Sequence, residues 1–224
     1  MSSKSLLLLA VGILSFALST PAFASENISD YEAITKLVTW ERQSRVRHLY
    51  NEMADCYFPD ATVTTSWTKV SASTYLNNRN RLPEASDGGV ILVRYSPPII
   101  HQNNNRAYAE LPITTNRWVK VNGEEAVLTS YMRLIYCVEC REGVWKITDL
   151  NTINEDDTLA PAIPGTDLHI NPEDLKGLRH SYRFLAYVRI KAGGKIRDDE
   201  LGIDQPEKVE KVYQEVEEWI KGGK

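Results

Sequence analysis

The sequence has little cysteine, no excess of basic charge and, beyond its first residues, no apolar run of the length that crosses a membrane. Three cysteines in 224 residues are too few for a disulfide framework, which leaves either one bridge with a free thiol or no bridge. The formal net charge is -4 with both signs intermixed, so the charge pattern of a protein that binds nucleic acid or an anionic membrane is absent.

Several motifs of known chemistry are also missing. The sequence has no glycine-rich phosphate loop, no Gly-x-Ser-x-Gly elbow and no His-Glu-x-x-His metal spacing. Cys137 and Cys140 have the spacing of a metal or redox half-site, but on a strand they point to opposite faces, and no second Cys/His pair accompanies them. We therefore expect neither a metal nor another cofactor.

The first 24 residues contain the three parts of a secretory signal peptide. Lys4 supplies a positive charge, residues 6–18 are apolar, and the stretch ends at Ala22-Phe23-Ala24. The apolar run is too short to span a ~30 Å hydrocarbon core comfortably, although an uncleaved anchor is an alternative. We predict removal of residues 1–24, a periplasmic or secreted protein and no membrane insertion after cleavage. Loss of Lys4 changes the net charge from -4 to -5.

Hydrophobic periodicity then predicts helices followed by strands. An apolar stripe at helical spacing predicts a helix over residues 28–56, capped by Ser29 or Asp30 and open to a break near Trp40-Glu41. A strand over residues 61–67 and a helix over 71–82 follow, with a loop at 84–89. A period of two predicts strands over residues 90–102, 106–120, 126–141 and 144–153, the first interrupted by Pro97-Pro98. Tight turns make these four strands antiparallel neighbours.

The residues beyond 154 have a different character. Prolines and a glycine mark a linker, and helices are predicted over residues 171–190 and 206–220. Tyr182, Phe184 and Leu185 are too apolar for a free helix, so this tail must dock, by default on its own domain. We predict a signal peptide over residues 1–24, an α+β domain over 25–155 and a C-terminal extension with two helices over 156–224.

Five segments carry a family resemblance. They are Glu41-Arg42-Gln43 with Arg45, Phe58-Pro59-Asp60-Ala61-Thr62-Val63, Ser66-Trp67, Arg106-Ala107-Tyr108-Ala109-Glu110 and Gly143-Val144-Trp145-Lys146-Ile147. In this order and at these spacings, they resemble the SnoaL-like branch of the nuclear transport factor 2-like superfamily. The resemblance covers about residues 30–155.

The resemblance implies a cone-shaped, curved antiparallel sheet wrapped around N-terminal helices, with a deep pocket for a small hydrophobic or aromatic molecule. Many relatives are dehydratases, isomerases, cyclases or hydrolases without a metal, and others only bind a ligand. Dehydratase-type relatives use an acidic residue late in the first helix and a histidine on the strand before the hairpin. These positions fall on Val46 and near Val93, which cannot transfer a proton, so no catalytic dyad is carried over.

Three other polar residues are the catalytic candidates. Arg42 lies one turn before Val46 and could hold an anionic or carbonyl oxygen, or it could pair with Glu41 or Asp60. Tyr50, one turn after Val46, could donate a proton or simply pack in the core. His101 shares a face with Val93 if the two prolines do not shift the alternation of the strand. It could then be a general base. Alternatively, His101 lies at the end of the strand and is exposed to solvent.

The residues predicted to line the pocket are Trp40, Glu41, Val46, Trp67, Val93 and Tyr95. Each tryptophan could instead be core packing, and Glu41 could be a partner for Arg45 instead of a base. The sequence thus leaves three hypotheses open: a cofactor-independent lyase or isomerase, a non-catalytic periplasmic ligand-binding protein, and an interaction protein that forms a homodimer or contacts a partner.

Overall fold

A computed structural model describes residues 29–66, 68–78, 91–197 and 199–223. The predicted signal peptide, Trp67 and the predicted loop at 84–89 lie outside these residues. The helices are α1 Asp30–Val46, α2 Tyr50–Asp55, α3 Ala72–Asn78, α4 Arg183–Lys191 and α5 Pro206–Ile220. The strands are β1 Tyr57–Thr65, β2 Thr68–Ser71, β3 Ile91–Tyr95, β4 Ile99–Asn103, β5 Arg106–Val121, β6 Glu124–Arg141 and β7 Val144–Pro161.

Helix α1 begins at a capping box. The Ser29 side chain accepts from the Glu32 backbone N–H, and the Glu32 carboxylate accepts in return from the Ser29 backbone N–H. The break that the sequence left open near Trp40-Glu41 does not occur, because α1 runs without interruption from Asp30 to Val46. The helix ends instead at Val46, and His48 turns the chain with a φ of 59° before α2 starts.

The sheet is mixed, whereas the sequence predicted an antiparallel one. Its strand order is β2-β1-β7-β6-β5-β3, and β4 also pairs with β5. Strands β5, β6 and β7 are antiparallel as predicted, but β1 runs parallel to β7, with Val63 beside Leu150. No hairpin joins β1 to β7, so local turn signals do not reveal their direction. Strand β2, which the sequence did not predict, is antiparallel to β1.

The interruption at Pro97-Pro98 changes which residues share a face. Tyr95 pairs with Ile113 and Ile99 pairs with Glu110, so the chain advances four residues while β5 advances three. One extra residue reverses the alternation of side chains. The expectation that His101 shares the face of Val93 is therefore wrong.

We call the side of the sheet that contacts α1 the inner face and the other side the outer face. The first core cluster joins Ile34 and Val38 of α1 to Ala109, Leu134 and Leu150 on the inner face. These apolar positions alternate along β5, β6 and β7 with residues of the outer face. The region predicted as the domain 25–155 thus has its main core between α1 and the sheet.

Strand β7 extends to Pro161, eight residues past the predicted end at Ile153. The reason is its partner, since residues 126–131 of the long strand β6 pair with residues 156–161. The predicted boundary between residues 155 and 156 therefore falls inside a strand, and the predicted linker starts later.

The C-terminal extension docks on both faces of the sheet. Leu185 and Ala186 of α4 pack against Leu128 on the inner face, beyond the end of α1. The chain then passes the edge of β7, where Ile203 N–H donates to the Asn154 carbonyl at 3.0 Å. Helix α5 packs on the outer face in a cluster that includes Tyr108, Ile135, Cys137, Val209 and Val216. Among the described helices, none is long and apolar enough to cross a membrane.

Asp157 of β7 ties the inner face to the start of α4. Its carboxylate accepts from the backbone N–H of Phe184 at 3.0 Å and of Leu185 at 2.6 Å. These are donors of the first turn of a helix, which have no partner within the helix itself. Asp157 is thus a cap supplied from a strand.

We predict that Asp157→Ala lowers the free energy of unfolding by about 1 kcal/mol, as loss of a helix cap does. Asp157→Asn, which keeps an acceptor, should lose less. Urea denaturation followed by circular dichroism measures the difference, and Asp167→Ala in an exposed segment is the control. A loss no larger than that of the control would show that the cap does not stabilise the fold.

Candidate functional site

A buried ion pair lies at the centre of the space between α1 and the inner face. Arg42 donates from Nε to Glu41 Oε2 at 2.5 Å and from Nη2 to Glu41 Oε1 at 2.6 Å. Tyr57 of β1 donates to Oε1 at 3.0 Å, and Tyr136 of β6 donates to Oε2 at 2.8 Å. Glu41 is completely buried, and its two oxygens accept four hydrogen bonds.

These contacts decide the protonation state of the cluster. Burial raises the pKa of Glu41, but the charge and hydrogen bonds of Arg42 outweigh it and the net shift is downward. Burial and the Glu41 charge raise the pKa of Tyr57 well above its usual value, and burial does the same to Tyr136. Glu41 is therefore an ionised, fully partnered carboxylate, which suits an electrostatic anchor better than a general base.

Further arginines continue from this pair along the interior. Burial and repulsion by Arg42 lower the pKa of Arg45 to about 10. Burial and repulsion by Arg45 and Arg189 lower the pKa of Arg117 to about 10. Arg45 and Arg117 nevertheless keep some solvent-accessible surface. We call Arg42, Arg45, Arg117 and Arg189 the arginine row, which leads from α1 across β5 to α4.

The inner face beside the arginine row is polar. Alternation from the apolar positions places Thr65, Thr115, Ser130, Thr152 and Asn154 there, and all five are buried. We call these residues the polar band. It separates the first core cluster under α1 from the cluster under α4, so the interior is not one continuous apolar core.

Several buried hydroxyl groups make no hydrogen bond to any described residue. They include Ser44 Oγ on α1 and Thr65 Oγ1 in the polar band. Buried polar atoms in native proteins nearly always have a partner, so each of these atoms marks a place for water or a polar group of a ligand.

The residues predicted to line the pocket occupy different places. Trp40 packs against the first core cluster, and Val93 lies on the inner face opposite Thr115. Tyr95 is on the same face but 44% exposed at the sheet edge, and Val46 at the end of α1 is 39% exposed. Trp67 lies outside the described residues. Val93 and Glu41 are thus the predicted lining residues that face the same interior as the arginine row.

The structure does not bring the three catalytic candidates together. Arg42 is in the buried pair with Glu41, one of the partners that the sequence allowed. His101 is exposed on the outer face, stacked on Tyr108 at a ring distance of 4.6 Å. Tyr50 is half-buried on α2, and its hydroxyl lies 2.8 Å from Nδ1 of His48. Their catalytic roles stay predictions.

The thiols add no further chemistry to this site. Cys56, Cys137 and Cys140 are all free. Burial raises the pKa of Cys56 to about 12, which keeps the thiol protonated and unreactive. Among the described residues, no group of three His, Cys, Asp or Glu side chains could hold a metal ion.

Sequence reasoning missed Arg117, Tyr57 and Tyr136 as members of the site. A signal for Arg117 was present: it follows Ala107, Ala109, Leu111 and Ile113 at the period of two that marks the inner face. An arginine at a position where the alternation places an apolar, inward-facing side chain indicates a buried cation. The tyrosines carried no such signal, because only the tertiary structure shows that they meet Glu41.

We predict that Glu41→Gln lowers the free energy of unfolding by about 3–5 kcal/mol, because it leaves Arg42 buried without its counter-charge. The double variant Glu41→Gln/Arg42→Met should recover much of this loss. Chemical denaturation of the single and double variants measures both effects. If Glu41→Gln has wild-type stability, the pair is not the anchor of the interior.

The same pair makes stability depend on pH in a defined direction. Because the pKa of Glu41 is lowered in the folded protein, its contribution is complete above the ordinary value of 4.5. The contribution is lost as the pH falls through the lower folded-state pKa. Denaturation between pH 7 and pH 2 should show a smaller acid-induced loss in the double variant than in the wild type.

Comparison with known proteins supports the fold. No protein-family model and no curated protein matches the sequence. A solved hexachlorocyclohexane dehydrochlorinase, LinA type 2, is 16% identical with a TM-score of 0.50, over 62% of this chain and 93% of its own. At this identity the similarity concerns the fold and not the activity.

Two further solved structures are similar at lower scores. A putative scytalone dehydratase from Novosphingobium aromaticivorans is 14% identical with a TM-score of 0.45, over 60% of this chain and 93% of its own. An ntf2-like protein with a cystatin-like fold, also from Novosphingobium aromaticivorans, is 11% identical with a TM-score of 0.45, over 55% of this chain and 80% of its own. The described chain thus has the α+β fold of the dehydrochlorinase, and it carries the C-terminal helical extension that the sequence predicted.

Proposed function

We propose that this protein binds a small, mostly apolar organic molecule between α1 and the inner face of the sheet. We also propose that it works outside the cytoplasm, in the periplasm or as a secreted protein, after residues 1–24 are removed. The support for export is the charge, apolar run and Ala-x-Ala site of those residues.

The observation that carries the proposal of binding is the polar band within an otherwise apolar interior. A filled structural core would be apolar throughout or would have all its polar groups paired. Here Ser44 Oγ and Thr65 Oγ1 are buried without a hydrogen-bond partner among the described residues. Arg45 and Arg117 keep accessible surface although burial lowers the pKa of each guanidinium. This combination is typical of the lining of a ligand site.

The side chains next to the polar band suit the apolar part of a ligand. Met132 and Leu134 of β6 and Val93 of β3 share the inner face with it. A ligand at this place would contact apolar side chains along most of its surface and polar groups at a few points, as small-molecule sites usually provide.

The placement of the groups that could transfer a proton favours binding without catalysis. By the family resemblance, the acid and the histidine of dehydratase-type relatives would fall on Val46 and near Val93, neither of which transfers a proton. In the structure, Glu41 is fully partnered and His101 is on the outer face. A homodimer or another partner remains a prediction that the contacts within this single chain do not test.

We predict that the neutral fluorescent probe N-phenyl-1-naphthylamine binds the protein, with a blue shift that shows an apolar environment. Thr115→Phe should abolish this binding because it fills the interior at the polar band. Thr114→Phe places the same ring on the outer face of the same strand and should leave binding unchanged.

Circular dichroism and urea denaturation would verify that both variants fold, and Ser130→Leu is a second, smaller filling variant. No probe fluorescence with the wild-type protein, or equal binding by Thr115→Phe and Thr114→Phe, would mean that the interior is not the binding site.

A second candidate function is a cofactor-independent lyase or isomerase, favoured by the hydrogen bond between Tyr50 and His48. A tyrosine whose hydroxyl lies within hydrogen-bond distance of an imidazole nitrogen, at 2.8 Å, could take part in proton transfer. Probe-competing ligands should then exchange carbon-bound hydrogen in deuterated water, and Tyr50→Phe should slow that exchange at least about tenfold. Mass spectrometry would detect the exchange, and its absence for every bound ligand would leave binding as the function.

A further inference from the structure

The C-terminal extension crosses the edge of the sheet beside the polar band. Strand β1 ends at Thr65, and its parallel pairing with β7 ends at Asn151. Beyond that point Gly202 forms an isolated parallel bridge with Asn154 of β7, so the extension takes the place of β1 at the side of β7. We call residues 199–205, which lead into α5, the strap.

Hydrogen bonds tie the strap to the polar band itself. The backbone N–H of Asn154 and its side-chain amide both donate to the Leu201 carbonyl, at 3.0 and 2.9 Å. The Ile203 N–H donates in return to the Asn154 carbonyl at 3.0 Å. Asn154 belongs to the polar band and is 1% exposed. The strap therefore closes the polar band at the edge of β7.

The segment before α4 holds the strap from its other side. Arg179 donates to the Asp204 carboxylate from Nε at 3.0 Å and from Nη2 at 2.5 Å, and Ser181 Oγ donates to the same carboxylate at 2.8 Å. Arg179 also donates to the Glu200 carbonyl. A Cβ at Gly202 would overlap the Ser181 hydroxyl oxygen, so this close approach requires a glycine.

The carboxylate of Glu200 is buried in the strap with few partners. The residue is 2% exposed, and neither of its carboxylate oxygens accepts a hydrogen bond from a described residue. Arg197 Nε lies 3.0 Å from Oε1, but the same guanidinium donates two hydrogen bonds to Asp199. A buried carboxylate that lacks hydrogen bonds is costly when it is charged, so this position favours the protonated form.

The charges around Glu200 do not reverse this preference. Burial raises the pKa of Glu200 to about 7, although the nearby cations oppose the shift. Because the pKa is higher here than the ordinary value of 4.5, the stability that Glu200 contributes is complete below about pH 4.5. It is lost as the pH rises through about 7. The charged and titratable groups near Glu200 are Arg197 and Asp199 of its own segment, Arg179 and Tyr182 before α4, and Lys69 of β2.

We propose that the strap is a pH-dependent cover of the ligand site, held on β7 while Glu200 is protonated and loosened when Glu200 ionises. Loosening removes the Leu201 carbonyl from Asn154 and opens the polar band at this edge of the sheet. The pH-dependent opening does not depend on the proposed function. The role as a cover does rest on it, since the polar band lines the proposed site.

Hydrogen exchange followed by mass spectrometry measures the opening of the strap. The exchange rate of residues 199–205, divided by that of the unfolded chain at the same pH, gives the opening equilibrium. We expect this ratio to rise at least about tenfold between pH 5 and pH 8 in the wild type. In Glu200→Gln, whose side chain does not titrate, the ratio should stay at its low-pH value. Glu218→Gln removes an exposed carboxylate from α5 and should retain the dependence of the wild type.

Two further variants complete this measurement. Glu200→Met, which also cannot titrate, takes the place of Glu200→Gln if that variant does not fold. Gly202→Ala should open the strap at pH 5 as well, because its Cβ overlaps the Ser181 hydroxyl. A wild-type strap whose opening does not change with pH, or an equal change in the variants of Glu200, would overturn the inference.

The rate at which a probe enters tests whether the strap covers the site. N-Phenyl-1-naphthylamine is uncharged throughout this pH range, and stopped-flow fluorescence measures its association rate. We expect the rate to rise at least about threefold from pH 5 to pH 8 in the wild type and to stay constant in Glu200→Gln. A rate that does not follow the opening of the strap would overturn its role as a cover. If the probe does not bind at all, the proposed function fails, while hydrogen exchange still decides whether the strap responds to pH.

Discussion

The buried ion pair between Glu41 and Arg42 is the constraint on which the rest of the interior depends. It fixes α1 to two different strands, because the same carboxylate also accepts from Tyr57 of β1 and Tyr136 of β6. A buried charged pair is stable only when additional hydrogen bonds satisfy its polar atoms, and both oxygens of Glu41 are satisfied in this way. Since Glu41 is fully used by these partners, it is not free to act as a general base.

The long strands explain how a polar space can exist beside this pair. Strands β5, β6 and β7 continue well past the end of α1, so α1 alone cannot cover the inner face. Helix α4 of the extension covers the far end, capped by Asp157, while α5 covers the outer face. The polar band lies between the two covered regions. The extension therefore closes one end of the proposed site, although it lies outside the part of the chain that carries the family resemblance.

Periodicity and local motifs predicted much of the fold. The capping residue Ser29 and the antiparallel strands β5 to β7 follow from short-range patterns, which sequence reports directly. The site was harder to predict from the sequence because it depends on contacts between segments that are distant along the chain. The parallel pairing of β1 and the meeting of Tyr136 with Glu41 have no local signature. The position of His101 depended on a single extra residue near Pro97, which reversed the face of everything after it.

The most direct test of the account is to locate a ligand in the interior itself. Crystals of the protein would be grown with N-phenyl-1-naphthylamine, and the bound probe would be located in the electron density. We predict an ordered probe between α1 and the inner face of the sheet, in contact with the polar band. A probe found only on the surface, with the interior beside the polar band filled by the protein's own side chains, would contradict the account.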